Sequence, residues 1–176
     1  MSLKLNKLVG LAYITDEMLA DGQYLMDFVT EAFGEEFGFM LDDTIMNGSG
    51  AGQPLGILNA GCLVSKAKET GQADTTIVTE NVIGMWSRMF ARSRPNATWF
   101  INQDIEPQLY TMTINVGTGG IPVYMPAGGV SGGMYGTMFG RPVVPVEQCA
   151  SLGTLGDIVL ADMREYQLID KGAMQA

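Results

Sequence analysis

One run of residues limits what this chain can fold into more than any other. Over 23–47, Leu25, Phe28, Val29, Ala32, Phe33, Phe37, Met40, Leu41 and Ile45 recur at steps of three and four, the spacing that lines one side of an α-helix. Asp27, Glu31, Glu35, Asp42 and Asp43 fall mostly on other faces. At ~1.5 Å per residue such a helix is roughly 40 Å long, more than the core of a chain of this size requires. Gly34 and Gly38 each lower helix stability by about 1 kcal/mol relative to alanine, and their spacing opens one side to close approach by another group. The helix reads as a beam to which other elements attach.

It stops at NGSGAGQPLGILN, residues 47–59. Alternating glycines suggest a phosphate loop, but the pattern fails. A nucleotide-binding loop ends in Gly-Lys-Ser/Thr, and here Gly52 precedes Gln53 and Pro54. A dinucleotide fingerprint needs glycine at 53 or 55, which are Gln53 and Leu55. Both motifs also lie at a positive helix N-terminus, whereas these glycines follow a negative C-terminus, which repels phosphate. The expectation is structural: Gly48 as a left-handed C-terminal cap, and Gly48, Gly50, Pro54 and Gly56 as the turn joining two domains.

The rest of the 176-residue chain reads as follows. Residues 3–14 alternate as a strand, Thr15 offers an N-cap, Asp16 and Glu17 suit a helix start, and Gly22 breaks this first short helix. Thr79 is expected to cap a helix over 80–92, buried through Val82, Ile83, Trp86, Met89 and Phe90, with Pro95 past its end. Residues 97–102, ATWFIN, form a strand, and Asn102 caps a short helix through 110. The glycine-rich residues 117–140 suit a long exposed loop or irregular hairpin. RPVVPVEQC reads as a strand, and DIVLADMREYQLID as two strands around Met163-Arg164. Trp86 and Trp99 are expected to anchor the core of this part, and Phe33, Phe37 and Leu41 to seat the long helix on its sheet.

Ten Lys and Arg against nineteen Asp and Glu leave a formal charge of -9, which opposes nucleic-acid binding. The densest cationic stretch, RMFARSR over 88–94, reads as a solvated helix face. Nothing in the sequence is apolar over enough residues to span a membrane. Cys62 and Cys149 are far apart and read as buried free thiols. Gly129-Val130-Ser131-Gly132-Gly133 matches the serine-hydrolase pattern, but there is no histidine to act as base. Carboxylate pairs Glu35-Glu36 and Asp42-Asp43 diverge by ~100° on a helix and cannot converge on one atom. No catalytic, cofactor-binding or metal residues are therefore assigned, and no enzyme, cofactor, membrane or small-molecule substrate is expected. The thirteen methionines suit either soft core filler or an adaptable contact surface.

Taken in order, FVTEAFGEEFGFMLDDTIMNGSG, GQPLGILN, WFIN, and FGRPVVPV followed by GDIVLADMREYQLIDKG resemble the major capsid proteins of tailed bacteriophages with the Hong Kong 97-type shell fold. The resemblance covers nearly the whole chain. It implies an α+β structure: a long spine helix plus a mixed-sheet axial domain flanked by helices. Residues 1–47 would be part of the peripheral domain, 48–164 the axial domain, and 165–176 the return toward the peripheral domain. The family also has an N-terminal arm and an extended loop before the spine and further strands at the far end. The chain therefore resembles a fragment of that fold, expected to be a monomer or weak ring alone. Relatives that join subunits by isopeptide bonds do so in segments outside this one, so no crosslinking residue is carried over.

The function this implies is a shell subunit that self-assembles into pentamers and hexamers, located in the virion and in the bacterial cytoplasm during assembly. Its partners would be identical subunits, with no specific nucleic-acid binding. A negative lining would let packaged DNA slide by charge repulsion. Two alternatives are an encapsulin-like compartment shell protein and, from another class, a glycine-rich small-molecule-binding module or enzyme, which would show a deep pocket of converging polar groups.

Overall fold

The computed structural model describes residues 4–19, 22–116, 118–128, 135–169 and 171. The chain divides into two compact units, Met1–Gly61 with Leu168–Ala176, and Cys62–Gln167.

In the first unit, residues 4–15 are exposed, have no regular secondary structure and pair with no strand, contrary to the strand expected there. Alternation supplies strand propensity, but a strand also needs a neighbour for its N–H and C=O groups. Helix α1, Asp16–Leu19, carries the two acids in its first turn. Helix α2 runs Gly22–Asn47, a single element of 26 residues, with the expected break at Gly22 now its first residue. Leu25 and Met46 are buried, and Val29, Phe33 and Phe37 are half-buried at four-residue steps. The Phe33 and Phe37 rings stack at 5.7 Å and close over Gly10, where a Cβ would lie 2.6 Å from Phe33. The observed partner of these two rings is thus the N-terminal segment of their own unit, and Leu41 stays 40% exposed.

The turn after α2 is a miniature hairpin closed by glycines. The Gly48 amide donates to the Thr44 carbonyl at 2.9 Å, ending the helical ladder. Ser49 and Leu55 then bridge antiparallel, the Gly50 amide donates to Pro54 O at 3.3 Å, and the Gly56 amide donates to Gly48 O at 2.8 Å. Asn59 Nδ2 clamps the junction by donating to the Asn47 and Gly48 carbonyls, at 2.9 and 3.1 Å. The left-handed cap expected at Gly48 is corrected: positive φ occurs at Gly50 and Gly52, +77° and +75°, not at Gly48. Gly48 is demanded by space, since a Cβ there would sit 2.2 Å from Pro54 O and 2.4 Å from Thr44 O. Because residues 48–59 fold back on the helix end, the boundary between compact units falls after Gly61, not at Gly48.

The second unit is a five-stranded mixed sheet with helices against it, in the order β4-β5-β6-β1-β7. The strands are β1 Thr98–Ile101, β4 Tyr124–Met125, β5 Thr137–Met138, β6 Arg141–Pro145 and β7 Ile158–Ala161, and a separate hairpin pairs β2 Thr113–Val116 with β3 Gly119–Pro122. Strand β1, next to the β7 edge, runs parallel to β6, with Trp99 opposite Val143, and antiparallel to β7, with Trp99 opposite Leu160. Phe139 and Gly140, φ 51° and 71°, form the two-residue turn between β5 and β6, the backbone twist tight hairpins favour.

Helix α3 is Thr79–Arg88, shorter than the expected 80–92 because Met89 turns to φ −67°, ψ 137°. Thr79 is not its cap. The Val78 amide donates to Asn81 Oδ1 at 3.1 Å, while the Thr79 hydroxyl donates to Thr113 O at 3.0 Å, tying the helix start to the hairpin. Asn102 does cap as expected: Oδ1 accepts from the Asp104 amide at 3.1 Å, leading through a 3-10 turn into α4, Glu106–Thr111. Of the two strands expected near the end, only β7 forms; Met163–Glu165 is a 3-10 turn and 166–169 has no regular structure. The core comprises Trp99, Ile101, Ile105, Leu109, Met138, Val82 and neighbours, with alternate β1 residues Trp99 and Ile101 facing inward.

Candidate functional site

The candidate site residues of the spine and turn lie in the first unit, and the two tryptophans in the second. Gly48, Gly50, Pro54 and Gly56 meet in one hydrogen-bonded knot, so the amides that a phosphate would need are donated to the chain's own carbonyls. Trp99 is fully buried, and its indole N–H donates to Met138 O at 3.1 Å. Trp86 is half-buried, stacks on Trp99 at 6.4 Å and on Phe139 at 5.8 Å, and carries the Arg94 guanidinium 5.4 Å from its ring centre. The two tryptophans therefore form one aromatic ladder from the surface to the sheet.

More informative is what α2 leaves bare. Tyr24, Met26, Phe28, Phe39 and Met40 are 43–79% exposed, and Gly34 and Gly38 have no heavy atom within 4 Å of a notional Cβ. A helix with ~100° between residues cannot turn Phe28 and Phe33 to the same side, so the single stripe expected from the sequence separates into a covered face and an uncovered one. Tyr24 and Phe39 lie outside the apolar spacing over 23–47, and a strict helical projection at ~100° per residue sets them away from Val29, Phe33 and Phe37.

A second cluster was also missed. Glu106 Oε1 accepts hydrogen bonds from Tyr110 at 3.2 Å and Tyr124 at 3.3 Å, and the two rings meet edge to face at 5.2 Å. The Glu106–Tyr110 pair, one helical turn apart, was readable; Tyr124 is brought in only by the sheet. Burial, then the neighbouring Glu106 carboxylate, pushes the Tyr124 hydroxyl up to about 12. A raised folded value means the native state holds this proton more tightly than the unfolded chain. Its stabilisation is full below the ordinary tyrosine value near 10 and is lost as pH rises toward 12. Alkaline melting should therefore show a loss of stability over that window that is smaller in Tyr124→Phe; identical pH profiles would dismiss the linkage.

Cys149 is buried, and burial followed by the charge of Asp157 pushes its thiol up to about 11. Cys62 is exposed, correcting the expectation of two buried thiols. Residues 129–133, the hydrolase-like motif, lie outside the described residues. Among the described residues no group of three or more His, Cys, Asp or Glu converges, and no helix is long and apolar enough to cross a membrane. A shallow groove runs along Thr76–Glu80, Gln108 and Thr111–Thr113, and its Gln108 is already spent on the Ile77 amide and the Thr75 carbonyl.

A family model described as the phage capsid family matches residues 1–176. No curated protein matches the chain significantly. Among solved structures, a chain of the "Capsid of native GTA particle computed with C5 symmetry" is 15% identical with a TM-score of 0.57, over 84% of this chain and 52% of that one. A chain of the corresponding empty particle is 15% identical with a TM-score of 0.58, over 84% of this chain and 53% of that one. The chain thus shares a capsid protein's fold and spans about half the length of these relatives.

Proposed function

The chain belongs to the phage capsid family, and from that we propose that it is a head-shell subunit, assembling with identical copies into the pentamers and hexamers of an icosahedral particle. The observation that carries this reading is the match over the whole chain, joined to a 26-residue helix on which Tyr24, Phe28 and Phe39 are exposed. A shell subunit needs a stiff element and surfaces that repeat around a symmetry axis, not a catalytic group. Within this reading α2 is the spine, and the unit Cys62–Gln167 is the axial domain, with the glycine-rich hairpin region nearest the symmetry axis. The protein then resides in the virion after assembly in the bacterial cytoplasm, and its charge of -9 keeps packaged DNA from adhering to the wall.

Mass spectrometry of DNA-filled particles purified from cells that carry the gene tests this. The chain should be recovered as the most abundant protein. Particles built without it would end the proposal.

A further inference from the structure

Resting on that reading of a self-assembling subunit, we infer that an arginine patch around Phe90 on one copy docks on the outward ridge of α2 on the next copy.

The ridge follows from helical geometry. With Leu25, Val29, Phe33 and Phe37 on the covered side, ~100° per residue turns Tyr24, Phe28, Glu31, Glu35, Phe39 and Asp42 to the opposite side, and all six are exposed. The whole helix Gly22–Asn47 holds Asp27, Glu31, Glu35, Glu36, Asp42 and Asp43 but neither Lys nor Arg. Three aromatic rings and three carboxylates thus share one uncovered edge.

The patch follows from tertiary structure. Arg88 Nη1 donates to Ser65 O at 3.0 Å, Arg94 Nη2 donates to Ser87 O at 3.1 Å, and Arg141 Nη1 donates to Pro95 O. These bonds gather three guanidinium groups around the segment 87–95, where Arg92 is also exposed and Phe90 is 68% exposed. In a chain with nineteen acids and ten Lys and Arg, Arg88, Arg92 and Arg94 thus fall within seven residues, and Arg141 reaches Pro95 beside them. Among the described residues the ion pairs are Lys66–Glu69 and Lys68–Asp74, so neither these arginines nor the α2 carboxylates are paired.

Like charges held within about 10 Å repel, and an opposite charge from outside relieves both sets at once. Phe90 lies between Arg88 and Arg92 in the sequence, and aromatic and arginine side chains are the residue types enriched at interface centres. The open flank at Gly34 and Gly38 lets a ring such as Phe90 approach the helix backbone. Each copy carries both a patch and a ridge, so the same contact can repeat from copy to copy. Nucleic acid fits less well, since the net charge of the chain repels it.

Sedimentation velocity over a concentration series of the full chain tests the pairing. Arg88→Glu/Arg92→Glu and Glu31→Lys/Glu35→Lys should each weaken self-association by ~10-fold or more. An equal mixture of the two should recover it, because the Glu-bearing patch then meets the Lys-bearing helix while the native patch meets the native helix. Arg92→Glu, at a fully exposed position, gives a second variant if Arg88→Glu disturbs folding. Wild-type association in both reversals, or no recovery on mixing, overturns the pairing and leaves the shell reading intact. A wild-type chain that stays monomeric at every concentration also overturns it, while particle composition decides the shell reading separately. Salt-sensitive binding of duplex DNA that Arg92→Glu abolishes, with self-association unchanged, assigns the patch to nucleic acid and overturns it as well.

Discussion

Gly48→Ala should unfold the α2 unit while the unit Cys62–Gln167 stays folded. The added methyl would lie 2.2 Å from the Pro54 carbonyl oxygen and 2.4 Å from that of Thr44. Both are backbone atoms fixed by the hydrogen bonds that end α2 and close the hairpin, so neither can swing aside as a side chain would. Gly56→Ala should act alike, its methyl falling 2.4 Å from the Gly48 nitrogen and 2.7 Å from Met46 O. Relief requires opening the Gly48–Gly56 junction, and a cost of about 3 kcal/mol is expected, at the upper end of overpacking effects. Two signals separate the units. Far-ultraviolet circular dichroism follows α2, whereas both tryptophans, Trp86 and Trp99, lie in the other unit. The dichroism transition should move to lower denaturant with the tryptophan transition in place. A midpoint unchanged in both signals would refute the steric account. Gly52→Ala is the informative contrast: no atom lies within 4 Å, so only its φ of +75° opposes the methyl, and a cost of about 1 kcal/mol is expected.

Trp99→Ala should do the reverse, collapsing the second unit. The side chain is fully buried between the strands and α3, stacks on Trp86, and its indole N–H is the recorded donor to the Met138 carbonyl. Truncation of a buried aromatic costs ~3–5 kcal/mol through lost burial and the cavity left behind. Trp99→Phe retains much of the burial but leaves the Met138 carbonyl without this partner, which costs about 1–3 kcal/mol. Denaturation should rank wild type above Trp99→Phe above Trp99→Ala. Equal stability of the two variants would mean that the hydrogen bond, not the packing, carries the effect.

The elements legible in advance share a property: their signal is complete within a few residues. The apolar spacing over α2, the break at Gly22, the side-chain cap at Asn102 and the alternation in Thr98–Ile101 each describe a segment meeting its own backbone. Readings failed where a segment depends on something distant. Residues 3–14 have strand-like alternation, yet 4–14 find no pairing edge. Thr79 has a capping side chain, yet its hydroxyl is drawn to Thr113. Glycine at 48 was recognised as necessary for a wrong reason, because sequence signals a special backbone angle and not the approach of Pro54 from six residues on.

By itself, then, the sequence determined a long helical rod, a glycine-closed turn after it, and a sheet built on a tryptophan-bearing strand. Periodicity, capping and alternation are local consequences of helix and strand geometry. Only the tertiary structure decided which side of the rod its own unit covers, that residues 4–14 and 166–169 find no strand partner, and that Arg141 reaches the Pro95 carbonyl beside Arg94. Those outcomes turn on contacts between residues far apart in the chain, whose free energy depends on what each surface meets, and no pattern within one segment encodes its neighbour.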